Sequence, residues 1–450
     1  MNPFSRVVAL DNNPEDLDII VQALGRAGYS AIPYLFDLAK FTPEITKPCA
    51  GLRLIFSDIH LTPTSGISGV DHASTIGNFI KKIVPNGPYG IIFWSKHEKD
   101  EKDIVDQLIS RSSDIGFNLP VFFGFMNKND VGIGKAAVDY ELLKKLIHEQ
   151  VLKSQTLSII MDWEERVLLS AVQASNNLFG VLNHSNVADS DSISDEWLKL
   201  LSYLSQEAVG KDAATLNATG ALDNALLPVL EDQLRTQIPS VVTENHPITE
   251  VLKSVGSGRL KLEKSVSRAS LNSFYLVEDF IAGQTLNYNG RGVISVIKPK
   301  NPNFIDEQFG NSWPNILYSE FIISTENSVH NLKLTERVTP CLISISAECD
   351  EVQGKIPSYR YLLGITFDES DAKNFIRKNG FARAAIQSVG FIKIGGIDKC
   401  MLISCRRFTS ENTELSFPLR PVARLRQRTL EEIIHHYTNH IRRPGVMRFY

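Results

Sequence analysis

A chain of 450 residues with 43% hydrophobic, 22% charged and 9% aromatic side chains has the make-up of a globular protein and exceeds what one hydrophobic core usually organises, so two or three domains are expected. The formal net charge of −4 excludes a global attraction to nucleic acid or anionic membrane. No run approaches the roughly twenty apolar residues needed to cross a bilayer.

The opening MNPFSRVVALDNNPED enters a strand and an acidic loop directly, without the basic segment and apolar core of a secretory signal. Cys49, Cys341, Cys349, Cys400 and Cys405 are odd in number and sparse, unlike a disulfide framework, so a cytoplasmic setting is expected. Up to about residue 155, short β-rich runs alternate with segments of helical period, the pattern of an α/β doubly wound parallel sheet. The runs are VVAL (7–10), AIPYLF (31–36), RLIFSD (53–58), GIIFWS (90–95) and VFFGFM (121–126). PEDLDIIVQALGRAGY opens with Pro14 and acidic residues, as helix starts do. HASTIGNFIKKIV, DIVDQLISRSSDIG and AAVDYELLKKLIHEQ are the further helices, expected as crossovers.

Open parallel sheets place their sites at the carboxyl ends of strands. Asp11 follows the first predicted strand, Asp58 ends the third, Ser95 ends the fourth and Lys128 follows the fifth. Two carboxylates that can hold a divalent cation, with a hydroxyl and an ammonium, are equipment for gripping a phosphoryl group. Singly, each has a plainer reading: a strand-end Asp as a turn residue, a loop Lys as a solvated one. A dinucleotide site is disfavoured because DNNP, not a glycine-rich turn, follows strand one. NDVGIGKAA lacks the first glycine and the Ser or Thr of a phosphate-binding loop.

These four positions, in this order on these strands, resemble the receiver domains of two-component response regulators over about residues 5–150. The resemblance implies a five-stranded parallel sheet with Asp58 as phosphoacceptor. It implies Mg²⁺ held by Asp11, Asp58 and the backbone carbonyl of His60, with Asn12 contributing weakly. Ser95 and Lys128 would meet the phosphoryl oxygens, and Phe125 matches the aromatic switch position. The implied partner is a histidine kinase or phosphotransfer protein in a bacterial phosphorelay, and the receiver catalyses its own phosphorylation at most. Three features depart from the family. Asn12 stands where a second acidic residue is usual, Lys96 where a small residue is usual, and LTPTSGISGVDH lengthens the loop after Asp58. Because cation affinity tracks ligand charge, weaker Mg²⁺ binding is expected. The same departures support an alternative: a pseudo-receiver that acts as adaptor or decoy through protein binding.

From Lys135 to Phe179 there is neither proline nor glycine. Leu143, Leu146, Ile147 and Val151, then Ile160, Trp163, Val167 and Val172, lie at helical spacing, so one long helix or two nearly continuous ones are expected. Such a rod offers a homodimer seam, with burial against its own chain as the commoner outcome. SDEWLKLLSYLSQEAV and ALDNALLPVLEDQLRTQ read as helices separated by GKDAATLNATG as a loop. Beyond residue 256, GVISVIKP, LYSEFIIST, TPCLISISAE, YRYLLGITF, FIKIGG and DKCMLISC read as β-rich, before a final helix TLEEIIHHYTNHIRR. The expected layout is multidomain: receiver-like 1–135, helical connector 136–255 and a C-terminal α+β domain 256–450.

Within that last domain, Cys349 and Asp350 end an apolar run. They suggest a thiolate or carboxylate site of a receiver-regulated enzyme, with His435, His436 or His440 beside it, against the plainer reading of a half-buried cysteine and a turn aspartate. Cys400 and Cys405, five apart in one predicted strand, point to opposite faces and argue against zinc. Arg406, Arg407, Arg420, Arg424, Arg426, Arg428, Arg442 and Arg443 make the region locally basic, and on a helix Arg424 and Arg428 would share a face. No helix-turn-helix is evident, so DNA binding is not expected.

Overall fold

The computed structural model describes residues 5–37, 45–62, 69–133, 138–182, 190–237, 246–261, 266–278, 286–297, 303–323, 332–347, 351, 358–377, 385–411 and 419–441. The chain divides into two compact units, Met1–Leu178 with Val229–Val251, and Phe179–Pro228 with Leu252–Tyr450.

The first unit is built on strands β1 (Val7–Asp11), β2 (Ala31–Leu35), β3 (Leu54–Ser57), β4 (Gly90–Ser95) and β5 (Phe122–Asn127). They form one parallel sheet in the order β2-β1-β3-β4-β5. Pro33 cannot donate to a ladder and sits, as it must, on the edge strand β2. The central strands are buried on both faces, which explains why they read as continuous apolar runs. On one face Val7, Ala9, Leu54, Phe56, Ile92 and Trp94 pack together; on the other, Val8, Leu10, Ile55, Ile91 and Phe93 do.

Helices α1 (Pro14–Arg26), α2 (Gly69–Ile83) and α3 (Glu101–Ile115) make the crossovers. The segment read as a further crossover instead follows the last strand as α4 (Tyr140–Lys153). Among the described residues, no helix joins β2 to β3. Leu143, Ile147 and Val151 of α4 are buried with α1 on one sheet face, while Ala73, Ile76, Ile80 and Ile104 cover the other. The stretch after β5 is two helices, broken at Ser154 before α5 (Gln155–Phe179). Ser154 Oγ accepts from the Leu157 N–H at 3.4 Å and so starts the second. Leu157 and Met161 join the core, whereas Trp163 and Val172 of the expected apolar stripe are exposed.

Next come α6 (Ser190–Val209), α7 (Lys211–Leu216), α8 (Ala218–Thr236) and α9 (Pro247–Ser254). The expected loop GKDAATLNATG is therefore mostly helical. Its alanines favour helix, and Ala213 packs with Val209 and Ala221.

The C-terminal part opens with α10 (Arg268–Leu276) and carries β6 (Val277–Glu278), β7 (Val293–Ile297), β8 (Thr339–Ser344), β9 (Tyr359–Phe367), β10 (Ile386–Ile394), β11 (Ile397–Glu411) and β12 (Leu419–Leu425). They form an antiparallel sheet in the order β10-β11-β9-β8-β7-β12-β6. Period-two alternation is strict where it matters: Tyr361, Leu363, Ile365 and Phe367 enter one core, Leu362 the opposite one. Short helices supply Phe304, Ile316, Leu317 and Phe321 to the first face, and the last helix, Gln427–Ile441, supplies Leu430 and Ile433 to the second. LYSEFIIST is expected as a strand; its described part, 317–323, instead opens with a π-helical turn, Leu317–Phe321, closed by the Ile322 N–H to the Leu317 carbonyl at 3.1 Å, and its last two residues lie outside the described residues. Its buried residues, Leu317, Glu320 and Phe321, recur at helical rather than alternating spacing. No helix among the described residues is long and apolar enough to cross a membrane.

Gly364 lies in the middle of this sheet. A Cβ there would meet Ile343 Cδ1 at 2.8 Å, Cys341 Sγ at 3.0 Å and the Leu402 carbonyl at 3.0 Å. Gly364→Ala is expected to cost about 1–3 kcal/mol by overpacking. Amide exchange of β8 and β9 in denaturant reads this directly; unchanged protection would mean that the sheet yields there.

Candidate functional site

Asp11 is the last residue of β1, and Asp58 follows β3 directly, so the two carboxylates flank the point where the strand order reverses. Local chemistry then fixes the chain between β1 and α1. Asp11 Oδ1 accepts from the Asn13 N–H at 2.9 Å. Asn13 caps α1, its side-chain oxygen accepting from Glu15 N at 2.9 Å and Asp16 N at 3.4 Å, with Pro14 beginning the helix. Asp16, in the first turn, is thereby brought back toward the strand ends.

Lys128, just past β5, is 1% exposed. Its Nζ donates to Asp11 Oδ2 at 2.7 Å, Asp16 Oδ2 at 2.9 Å and Asp58 Oδ2 at 2.9 Å. An ammonium has three N–H groups, and here each has a carboxylate acceptor. The Lys128 backbone N–H donates to the Ser95 carbonyl at 3.0 Å, holding the lysine loop to the end of β4. Trp94 lies below, its ring centroid 5.9 Å from Nζ.

Three carboxylates against one ammonium leave surplus negative charge. Asp11 responds: burial, aided by the neighbouring Asp58 charge, pushes its pKa up from 3.8 to about 6 despite the attraction of Lys128. Lys128 is held above its ordinary range. Burial opposes its charge, but Asp58 and Asp11 outweigh burial.

The sequence-predicted residues fall as follows. Asp11, Asp58 and Lys128 come together. Ser95 is buried at the end of β4, its Oγ accepting from the His97 N–H at 3.4 Å. Phe125 is half-buried against the α2/α3 face, and its carbonyl accepts from Gln150 Nε2 at 2.8 Å. The His60 carbonyl, expected at a cation, accepts from Asn12 Nδ2 at 3.0 Å, as does the Leu61 carbonyl at 3.2 Å. Lys96 is exposed. Asp16 was missed. Its signal was present in PEDLD, but an acid in a first helical turn is ordinarily explained by the helix dipole alone.

In the C-terminal part, Cys349, Asp350, Arg442 and Arg443 lie outside the described residues. Cys341 and Cys400 are buried thiols pushed up to about 12 by burial, so neither is a ready thiolate. His435 Nε2 lies 2.7 Å from Asn439 Nδ2, and His436 Nε2 lies 4.0 Å from Glu432 Oε1, both within the exposed face of the last helix. Arg424 and Arg428 do not share a helix face: Arg424 is on β12, where it bonds the Arg291 carbonyl and Glu278, and only Arg428 is helical.

No family model matches the chain, and no curated protein matches it. Among solved structures, the RcsB response regulator of Salmonella typhimurium aligns at 11% identity over 56% of this chain and 98% of its own, with a TM-score of 0.19. A yeast Spc42 trimeric coiled-coil fusion aligns at 18% identity over 36% of this chain and 92% of its own, with a TM-score of 0.17. Both scores lie far below those of shared folds.

Asp11 binds its proton more tightly folded than unfolded, so its contribution to native stability falls as pH rises from about 4 to about 6. Asp11→Asn is therefore expected to raise stability at pH 7, with the gain disappearing by pH 4, as read by amide exchange of β1 and β3. Lys128→Met leaves the carboxylates without their counter-charge and is expected to cost about 3–5 kcal/mol.

Proposed function

We propose that the N-terminal unit is a receiver-type phosphorylation switch in which Asp58 accepts a phosphoryl group. The observation that carries this reading is the buried Lys128 ammonium bonded to Asp11, Asp16 and Asp58 in the crevice at the strand ends. An aspartate is a poor nucleophile toward an anionic phosphoryl group until cationic groups offset the charge of its oxygens. Lys128 is fixed where it can leave Asp58 Oδ2 for a phosphoryl oxygen while keeping two other carboxylate partners. Ser95, at the end of the neighbouring strand, supplies a hydroxyl.

The donor set fits Mg²⁺: three hard carboxylates carry surplus negative charge, and Asp16 supplies the acid that Asn12 does not. Asp11, Asp16 and Asp58 would hold the ion, which when bound would neutralise phosphoryl oxygens. In the transfer, Asp58 forms the new P–O bond as the bond from phosphorus to its donor, a phosphohistidine or a small acyl phosphate, breaks. The donor's leaving group keeps that bond's electron pair. A histidine kinase or phosphotransfer protein is the natural supplier, and the C-terminal unit would read the result.

Asn12 favours a second reading. Its amide holds the His60 and Leu61 carbonyls, which suits a pseudo-receiver that binds partners without phosphorylation.

Intact-protein mass measurement after incubation with acetyl phosphate and Mg²⁺ separates the two. A phosphoryl-sized gain in wild type but not in Asp58→Ala supports the switch. No gain, together with undiminished kinase capture by Asp58→Ala, supports the pseudo-receiver.

A further inference from the structure

Beside the acidic crevice, three imidazoles converge from separate segments. His60 lies between β3 and α2, His72 within α2, and His97 between β4 and α3; Asp100 stands just before α3. Three of the chain's ten histidines thus meet at one place, which neither helical nor strand periodicity requires. The His60 and His97 ring centroids are 4.1 Å apart, and those of His60 and His72 are 4.6 Å apart. His60 Nε2 lies 3.1 Å from Asp100 Oδ2. One donor atom from each of His60, His97 and Asp100 lies within 4.8 Å of the other two. Ligand atoms around a tetrahedral dication at about 2.0–2.1 Å are separated by about 3.4 Å, so small side-chain movements complete the site.

Two further observations point to a ligand. His60 Nδ1 is buried without a hydrogen-bond partner among the described residues, an expensive state for an imidazole. The groups also line a cleft of about 330 Å³, open to solvent through the exposed His97 and Asp100. His72 adds a third ring, with Thr62 Oγ1 3.3 Å from its Nδ1, which leaves Nε2 for a ligand. Hydrogen bonding of one imidazole nitrogen to fix the other is the usual support for a metal-binding histidine.

We propose that His60, His97 and Asp100, with His72 as the further donor, form a binding site for a first-row transition-metal dication such as Zn²⁺. Imidazole nitrogens are borderline donors that favour Zn²⁺, Co²⁺, Ni²⁺ or Cu²⁺ over Mg²⁺, so this site is chemically separate from the carboxylate crevice. Mechanical separation is incomplete. The His60 N–H reaches Asp58 Oδ1 at 3.4 Å, and the His97 N–H reaches Ser95 Oγ at 3.4 Å. A bound ion would therefore tie together the two loops that follow Asp58 and Ser95. The site itself does not depend on whether Asp58 accepts phosphate.

The test uses the full chain, free of any histidine tag and stripped of metal with a chelator, titrated with Co²⁺ and followed by visible absorption. One Co²⁺ per chain with ligand-field bands, displaced by stoichiometric Zn²⁺ but not by millimolar Mg²⁺, is the expected result. His97→Gln and Asp100→Asn, both at exposed positions, should each lower affinity at least about tenfold. Their unchanged circular dichroism would show that the fold is intact. Absence of a stoichiometric site overturns the proposal, and so does binding that survives both substitutions together.

Discussion

A lysine ammonium enclosed by three carboxylates is the constraint on which the N-terminal unit is arranged. Removing these charges from water is costly, and the cost is met only where geometry and hydrogen bonding are complete. Here they are complete for the lysine. Its partners come from β1, from the first turn of α1 and from the end of β3, while Lys128 itself lies beyond β5. One cation thus joins elements that the sheet keeps apart, across the intervening β4. For the carboxylates the account is less favourable, and Asp11 shows it by holding a proton to about pH 6. The cluster is therefore both a fastening and a store of negative charge facing the crevice.

This dual character is what makes the crevice chemically useful under the proposed function. A group that satisfied all its neighbours would have nothing to gain from a ligand. Under that proposal the acidic surplus would favour a divalent cation, and the lysine would exchange one of its three acceptors for a phosphoryl oxygen without being stranded. Asn12 and Asp16 divide the work beside Asp11: the Asn12 amide braces the loop after β3, while α1 brings a carboxylate to Lys128. Bracing the His60 and Leu61 carbonyls also steadies the loop that carries His60.

The C-terminal part obeys different rules. Its antiparallel strands carry apolar side chains on both faces, and helices close both sides. Its described thiols are buried and held protonated, which marks them as packing residues. Charged groups there serve local architecture: Arg407 donates to the buried Glu320 at 3.2 Å, and Arg424 ties β12 to β6. The basic character read from composition is thus partly consumed inside the fold.

Strand positions were legible because burial on both faces writes continuous apolar runs into the chain, and GIIFWS and YRYLLGITF needed little else. Helix starts were legible where caps are local, as with Asn13 and Pro14. Short apolar runs were not: LYSEFIIST has the composition of a strand, and only the packing of Leu317, Glu320 and Phe321 on one side decided for a helical turn. The placement of Asp11, Asp58, Ser95 and Lys128 was readable because they end strands or follow them directly, a property of local sequence. That Lys128 would be buried, that Asp16 would join it, and that His60, His72, His97 and Asp100 would meet were decided by tertiary structure alone. Local sequence specifies which element a residue occupies. Which charges and rings come within a few ångströms depends on strand order and helix placement, and these are set by burial across the whole sheet.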